Sequence, residues 1–397
     1  MLEILFLISL IVVLYTYVGY AAIIWILVII KRLFVAKPQG LNLDTANLPE
    51  VCLFVTAYNE IEVARQKVEN SFKLNYPKDK IQYLWMTDGS TDGTPEFLRQ
   101  FPELQVEHTP ERLGKIHAMN RGLAFVKTPL VMFSDSNTIL GEQSIMEIVR
   151  QFQNPSVGCV AGEKRILEKD EDSAAASGEG FYWKLESFIK RMDAEFSSAV
   201  GAAGELFAIR TDLFKPVEPD TILDDFIISL RIAESGYRVA YTPNAYAVES
   251  ASASVKEELK RKIRIAAGGL QTIFRLPQLL NPFRNGWLSF QYISHKILRW
   301  TIAPFALFAI FLINLLILLK NNTFDIDNFY AVFLYFQLIL YVVAAIGWQS
   351  ENKQIRFKFF FIPYYFVAMN YASIKGIVRY FKGKQSVVWE KSKRAKV

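Results

Sequence analysis

The chain has 397 residues and a formal net charge of +6, a length that fits one catalytic-sized domain plus a membrane part better than a single oversized core. Apolar residues make up 52% and aromatic residues 14%, including 31 Phe, a clustered excess that argues against an ordinary soluble enzyme. The basic residues gather near the ends of apolar segments, which points to anionic lipid head groups and leaves no need for a nucleic-acid partner.

In chain order, Leu2 to Ile30 carries only Glu3 before Lys31-Arg32. That run can cross ~30 Å of hydrocarbon. No basic segment precedes it and no small-x-small cleavage site follows it, so residues 1–32 read as a retained anchor. Lys31-Arg32 put the following domain in the cytoplasm, at the inner (plasma) membrane, under the positive-inside rule.

Residues 49–253 read as an α/β domain. Strands are expected at Val51–Val55, Gln82–Met86 and Leu130–Phe133, and helices at Ile61–Phe72 and Leu113–Lys127. Such alternation predicts a mostly parallel sheet. Ligands of these sheets bind beyond the carboxyl ends of the strands, where polar motifs stand: Thr56-Ala57-Tyr58-Asn59-Glu60, Thr87-Asp88-Gly89-Ser90, and Asp135-Ser136-Asn137. Asp88 can face a ligand or hold Gly89 in an Asx-turn. Asp92 can cap the helix that begins near Pro95. Ser173 to Ser177 reads as a small polar loop, and Cys52 and Cys159 as free thiols. Gly201-Ala202-Ala203-Gly204 would let backbone approach a ligand, or serve tight packing. Asp224-Asp225 opens an apolar helix, where acids suit the dipole. The same pair can supply a general base.

Residues 254–300 read as amphipathic, interfacial helices. Ser254-x-x-Glu257 is a capping box, and Arg261 and Arg264 share a face. His295 reads as structural, and Lys296, Arg299 and Trp300 suit a head-group boundary. Residues 301–378 form a second apolar region, with spans expected at Thr301–Leu319 and Phe329–Trp348. Phe359–Ile374 is weaker. A fourth full span would carry the basic tail, residues 379–397, outside, so this segment is expected to be re-entrant or interfacial.

Taken together and in this order, the motifs Thr56–Glu60, Thr87–Ser90, Gly114-Lys115, Asp135–Asn137, Gly201–Gly204, Asp224-Asp225 and Arg261-Lys262-Ile263-Arg264 resemble those of the membrane-bound family 2 glycosyltransferases. The likeness is to the polysaccharide synthases that make cellulose, hyaluronan and poly-N-acetylglucosamine, and it runs from about Val51 to Trp300. It implies a GT-A-like nucleotide-sugar-binding domain joined to a helical transmembrane region. It implies an inverting transfer with Asp225 as base, assisted by Asp224. Donor contacts would come from Ala57, Tyr58, Glu60, Asp88, Lys115, Asp135, Arg261 and Arg264. Mg²⁺ or Mn²⁺ would sit at Asp135 and Asn137, and the acceptor at Gly204, Glu205 and Ile265. The donor would be a UDP-sugar, UDP-N-acetylglucosamine or UDP-glucose. The acceptor would be a growing polysaccharide or a lipid-linked glycan, and export or accessory subunits could attend it.

Two positions depart from the family pattern. Asn137 replaces the second acid of the metal-binding D-x-D, keeping an oxygen but losing the charge. Ile265 replaces a Trp that helps form the acceptor site in processive relatives. These departures keep two alternatives open: a single-sugar transferase acting on a lipid, and a catalytically silent subunit of a synthase. A dehydrogenase is excluded, because no Gly-x-Gly-x-x-Gly follows a strand.

Overall fold

A computed structural model describes residues 1–35, 47–167, 174–250, 252, 254–352 and 358–385. Trp389, most of the basic tail and residues 353–357 lie outside the described residues.

The core is an eight-stranded sheet of order β3-β2-β1-β4-β7-β6-β8-β5. Its strands are β1 Val51–Ala57, β2 Ile81–Asp88, β3 Leu104–Thr109, β4 Leu130–Asp135, β5 Ile139–Leu140, β6 Val157–Leu167, β7 Leu206–Arg210 and β8 Arg238–Ser250. Strands buried on both faces read as unbroken apolar runs, and β1 and β2 do. Side chains still alternate: Phe54, Leu84 and Phe133 enter one core cluster, while Leu53, Val55 and Trp85 enter the other. β1 pairs in parallel with β2 and β4, aligning Ala57 with Thr87 and Thr56 with Asp135. Three polar motifs far apart in sequence therefore end at one sheet edge. β7 joins β4 and β6 antiparallel, and β5 joins β8 antiparallel, so the sheet is mixed but mostly parallel.

The principal helices are α1 Leu2–Phe34, α2 Ile61–Phe72, α3 Lys115–Gly122, α4 Ser144–Phe152, α5 Ala174–Phe196, α6 Asp224–Glu234 and α7 Val255–Arg275. α8 follows as one run built from Trp287–Tyr292, a π turn Ile293–Ile297, and Leu298–Trp300. Next come α9 Ile302–Asn321, α10 Phe329–Asn352 and α11 Lys358–Phe381. The polar loop expected at Ser173–Ser177 is corrected here, because α5 begins at Ala174. Its later turns explain why: Ile189 and Met192 pack with Tyr20, Ile24 and Val28 of α1, and tertiary packing of an apolar face carries a helix past weak local propensity. The capping box is present, with Ser254 Oγ accepting from the Glu257 N–H at 3.3 Å.

Among the described residues, three helices are long and apolar enough to cross a membrane: α1, α9 and Phe329–Gln349 of α10. α11 is not among them. It runs beside α7, from Tyr365, whose hydroxyl donates to Glu258, to Tyr380, whose ring stacks on Phe274. This contact explains the run Ala266-Ala267-Gly268-Gly269. A Cβ on Gly376 would meet Ala266 Cβ at 2.6 Å, one on Gly269 would meet the Trp300 ring at 2.3 Å, and one on Gly268 would meet Leu223 at 2.6 Å. α7 is pressed on three sides, so only small residues fit.

Candidate active site

Two pockets meet at the carboxyl edge of the sheet. The smaller is lined by Thr56, Ala57, Tyr58, Glu60, Asp88, Arg112, Gly114, Lys115, Ala118 and Asp135-Ser136-Asn137. The larger holds about 700 Å³ and is lined by Gly204, Glu205, Asp224, Asp225, Arg261, Arg264 and Ile265, together with α1, α5, α8, α10 and α11. Lys115 and Asp135 line both.

The smaller pocket is shaped by backbone. Asp88 Oδ2 accepts the N–H groups of Leu113 and Gly114 at 3.0 and 2.6 Å, which fixes the turn entering α3. Gly89 has φ +67, and a Cβ there would lie 2.7 Å from Arg112 Cβ, so this position requires glycine. Arg112, which sequence reasoning missed, lies 3.8 Å over the Tyr58 ring. Asp92 serves as a cap, accepting from Ile61 N–H and Thr94 N–H at 3.0 Å each.

Lys115 stands at the wall between the pockets. Its Nζ pairs with Asp135 Oδ1 at 2.8 Å and with Asp224 Oδ2 at 3.0 Å. Burial alone would lower its pKa, but Asp135 and Asp224 outweigh that and raise it. The same ammonium therefore joins the metal-motif position to the acid pair. Burial raises Asp135, against Lys115. Asp225 is pushed up to about 7, first by burial and then by Asp224, with Lys115 opposing. A buried carboxylate poised near neutrality suits general-base work. Gly204 lies beside these groups, where a Cβ would make ordinary contacts of 3.4 Å with Lys115 Nζ and 3.5 Å with Asp225 Oδ2.

Two buried lysines hold this arrangement from behind, and neither was nominated from sequence. Lys67 Nζ donates to Ser134 Oγ at 2.7 Å and to the Thr138 carbonyl at 2.8 Å, bracketing Asp135. Burial lowers it to about 7, with Asp135 opposing. Its signal was legible: Ala64, Lys67, Val68 and Ser71 form the buried stripe of α2. Lys164 Nζ pairs with Glu205 and Glu249 at 2.5 Å each. Burial would raise Glu205, but Lys164 and Arg261 hold it well below the carboxylate range. Glu249 in turn accepts from Asn137 Nδ2 at 3.3 Å.

The Asn137 amide nitrogen is thereby engaged, and its carbonyl oxygen is the atom left for a cation. With Asp135 it offers two hard oxygen ligands in one pocket, which fits a divalent ion whose remaining ligands come from a bound diphosphate. Among the described residues, no cluster of three His, Cys, Asp or Glu side chains could hold a metal unaided.

Six of the residues expected at the donor, Ala57, Tyr58, Glu60, Asp88, Lys115 and Asp135, come together in the smaller pocket. Arg261 and Arg264 stand instead on the wall of the larger one. Arg261 is clasped by Glu258 at 2.8 and 2.9 Å, and Arg264 donates to the Ile222 carbonyl at 3.2 Å. Gly204, Glu205 and Ile265 line the larger cavity beside Asp225. His295 is buried between Asp193 at 2.7 Å and Glu186 at 3.3 Å.

The fold is shared with a solved mannosyltransferase, PcManGT from Pyrobaculum calidifontis, in complex with GDP-Man and Mn²⁺. The TM-score is 0.71 at 21% identity, covering 97% of this chain and all of that one. Among curated proteins, the chain is 26% identical over 251 residues to a poly-β-1,6-N-acetyl-D-glucosamine synthase of Staphylococcus aureus strain COL, covering 60% of this chain and 58% of the relative. It is 23% identical over 268 residues to the synthase of that name from Staphylococcus epidermidis, covering 64% of each. The match thus spans less than two thirds of these relatives. The family described as "Glycosyltransferase like family 2" matches residues 49–268, more than half of the chain. This chain belongs to the family 2 glycosyltransferases.

Proposed function

We propose that the protein is a membrane-embedded, inverting enzyme that transfers a sugar from a UDP-sugar to a hydroxyl of a growing polysaccharide or lipid-linked glycan. One observation carries this reading: Lys115 ties Asp135, in the smaller pocket, to Asp224 beside Asp225, in the larger one. A donor in the first and an acceptor in the second would meet at this wall.

The acceptor oxygen attacks the anomeric carbon from the larger cavity. A glycosidic bond forms, the bond from that carbon to the diphosphate oxygen breaks, and its electron pair leaves on the nucleoside diphosphate. The acceptor proton passes to Asp225, whose burial keeps it basic enough to accept it. Asp224 and Lys115 orient the base. Arg264, facing Asp224 and Asp225, adds positive charge near the reacting centre. Asp135 and Asn137 would hold Mg²⁺ or Mn²⁺, which when bound neutralises charge on the departing diphosphate. The solved mannosyltransferase that holds Mn²⁺ supports a divalent ion.

The relatives named as poly-N-acetylglucosamine synthases support N-acetylglucosamine as the sugar, with glucose next. Three apolar helices support a multi-pass protein, and Lys31-Arg32 support a cytoplasmic catalytic domain at the inner membrane. α11, laid along α7, would rest at the interface.

The test is turnover by the purified full chain across UDP-N-acetylglucosamine, UDP-glucose and GDP-mannose, with products sized by mass. Transfer from a UDP-sugar that is lost in Asp225→Asn is the expected result. Inactivity with every donor, or an Asp225→Asn variant as active as the parent, overturns the reading.

A further inference from the structure

Asn137 departs from the family's motif in a way that its surroundings explain. The short strand β5 is paired to β8, with Ile139 opposite Val248 and Leu140 opposite Ala247. Asn70 of α2 fixes the same spot. Its side-chain amide donates to the Leu140 carbonyl and accepts from the Leu140 N–H, at 2.8 Å each. The turn that leaves β4 at Asp135 is thereby carried to the end of β8, where Asn137 meets Glu249.

Glu249 is itself set by register. β6 pairs with β8 so that Lys164 lies opposite Ala247, and Ile166 opposite Glu249. Side chains two apart share a face of the sheet, which brings Lys164 and Glu249 into diagonal contact, Nζ to Oε2 at 2.5 Å. Both are buried, at 3% exposure each. The ammonium also holds Glu205 at 2.5 Å. A carboxylate ionised against an ammonium only accepts hydrogen bonds. Its other oxygen, Oε1, lies 3.3 Å from Asn137 Nδ2.

Position 137 therefore meets two demands. Toward the smaller pocket, which it lines, it must show an oxygen if a cation is to sit beside Asp135. Toward Glu249 it must show a donor. A planar amide does both at once, with its nitrogen on the glutamate and its carbonyl oxygen turned the other way. An aspartate carries an oxygen on both sides, and one of them would stand against the Glu249 carboxylate, like charge on like charge.

From this we infer that Glu249 is the positioning residue of the cation site: it orients Asn137 as a ligand, and it makes an amide, not an acid, the side chain that fits at position 137. The inference rests on reading Asp135 and Asn137 as the seat of a divalent ion. The charge that the motif lacks at position 137 stands one layer back, on Glu249, where Lys164 balances it. Restoring the acid at position 137 therefore weakens the site for as long as Glu249 is present, the reverse of what the motif alone implies.

The experiment uses the full chain in detergent with UDP, and reads Mn²⁺ binding from the electron paramagnetic resonance of the free ion. Asn137→Asp should bind Mn²⁺ about tenfold more weakly than the parent. Glu249→Gln should lose about as much, the usual result of removing the partner that orients a metal ligand. The double variant, Asn137→Asp with Glu249→Gln, exchanges the two roles, since a glutamine amide can donate to an aspartate. It should regain at least the parent's affinity, so that the two losses do not add. UDP affinity in excess chelator and the melting temperature report whether each variant keeps its fold. Should Glu249→Gln unfold, Asn137→Asp alone decides, because it leaves Glu249 and Lys164 in place. Equal or tighter Mn²⁺ binding by Asn137→Asp overturns the inference, as does a folded double variant no better than Asn137→Asp. A loss of UDP affinity in chelator as large as the loss of Mn²⁺ affinity would make Glu249 a scaffold for the whole pocket, and overturns it too. A parent–UDP complex that takes up no Mn²⁺ overturns the cation reading itself, and this inference with it.

Discussion

The smaller pocket takes its walls from the ends of β1, β2 and β4 and the turn into α3, all within residues 56–137. The larger cavity draws on helices from α1 to α11, from Tyr17 to Ser373. The first is a product of strand register, in which each motif needs only to end its strand at the right place. The second exists only when the apolar helices have docked on the catalytic domain. On the reading proposed above, donor and acceptor would thus be held by walls that are built separately.

The sharpest way to break this division is at the wall between the pockets. Asp225→Asn keeps the shape and removes the base. Turnover should fall about 10²- to 10⁴-fold with UDP affinity unchanged. The pH profile of the parent should rise through about pH 7, because Asp225 must lose its proton and burial with Asp224 and Glu205 holds that proton on, while Lys115 opposes. Stability has the opposite sign. The native pKa lies above the ordinary 3.8, so the folded state pays to ionise Asp225 as pH rises past 3.8, and the full cost is present above about 7. Asp225→Asn should thus melt higher than the parent at pH 8, with the gap shrinking as pH falls toward 4. A variant that melts lower at pH 8 would show that the carboxylate is stabilised rather than strained.

On the smaller pocket, a chelator should lower turnover about 100-fold or more, with Mg²⁺ or Mn²⁺ restoring it. Among the described residues no cluster of three acids, histidines or cysteines could hold the ion, so metal on Asp135 and Asn137 should bind weakly without nucleotide and tightly with it. Full activity in excess chelator refutes the ion. A smaller effect follows from Lys115→Met, which frees Asp135 and Asp224 of their shared cation. Turnover should drop about 10- to 100-fold. The acid limb of the pH profile should also move upward, because a carboxylate beside fewer cations holds its proton longer. An unmoved limb would mean that Lys115 only positions side chains.

The uneven legibility of the sequence has the same origin as the uneven architecture. Ile61–Phe72 and the ends of β1, β2 and β4 are written in local patterns: apolar runs, turn residues and a 3.6-residue stripe. β3 and β5–β8 are not. β7 is five residues long, β5 is two, and both owe their place to antiparallel neighbours. Asp135 is legible because an acid that ends an apolar strand is conspicuous, and Asp225 because an acid pair opens an apolar helix. Lys67 could be found only through the buried stripe of α2 around it, and Lys164 on β6 had no such helical stripe, so it reads as a solvated lysine. Arg261 and Arg264 show the limit in another way. Their shared helix face was readable, but which pocket that face meets depends on how α7 docks. The small run Ala266–Gly269 could be read from sequence only as close helix packing; that Trp300 and Gly376 are what packs against it depends on the fold.

The smallest expected effect concerns the aromatic that stands in for Ile265. Where processive relatives carry a Trp, this chain offers an aliphatic side chain on the cavity wall. Tyr182 and Trp183 stand on that wall as well, their rings edge-to-face at 5.5 Å. Trp183 is ringed by cations, with Lys164, Lys262, Lys190 and Arg261 at 5.1 to 5.8 Å from its centroid. Cations so placed hold the indole by its electron-rich face and fix it in the cavity. Trp183→Ala should therefore raise the acceptor KM about fivefold, the worth of an aromatic contact of about 1 kcal/mol, and leave the donor KM alone. Trp183→Phe should recover most of that loss, since a ring remains. A merely structural Trp183 would instead lower Tm and move both KM values together. Without a Trp at position 265 the grip on a growing chain is weaker, so the parent should release short products, and Trp183→Ala should shorten them further. Long polymers from the parent, unchanged in Trp183→Ala, would mean that acceptor retention resides elsewhere in the cavity.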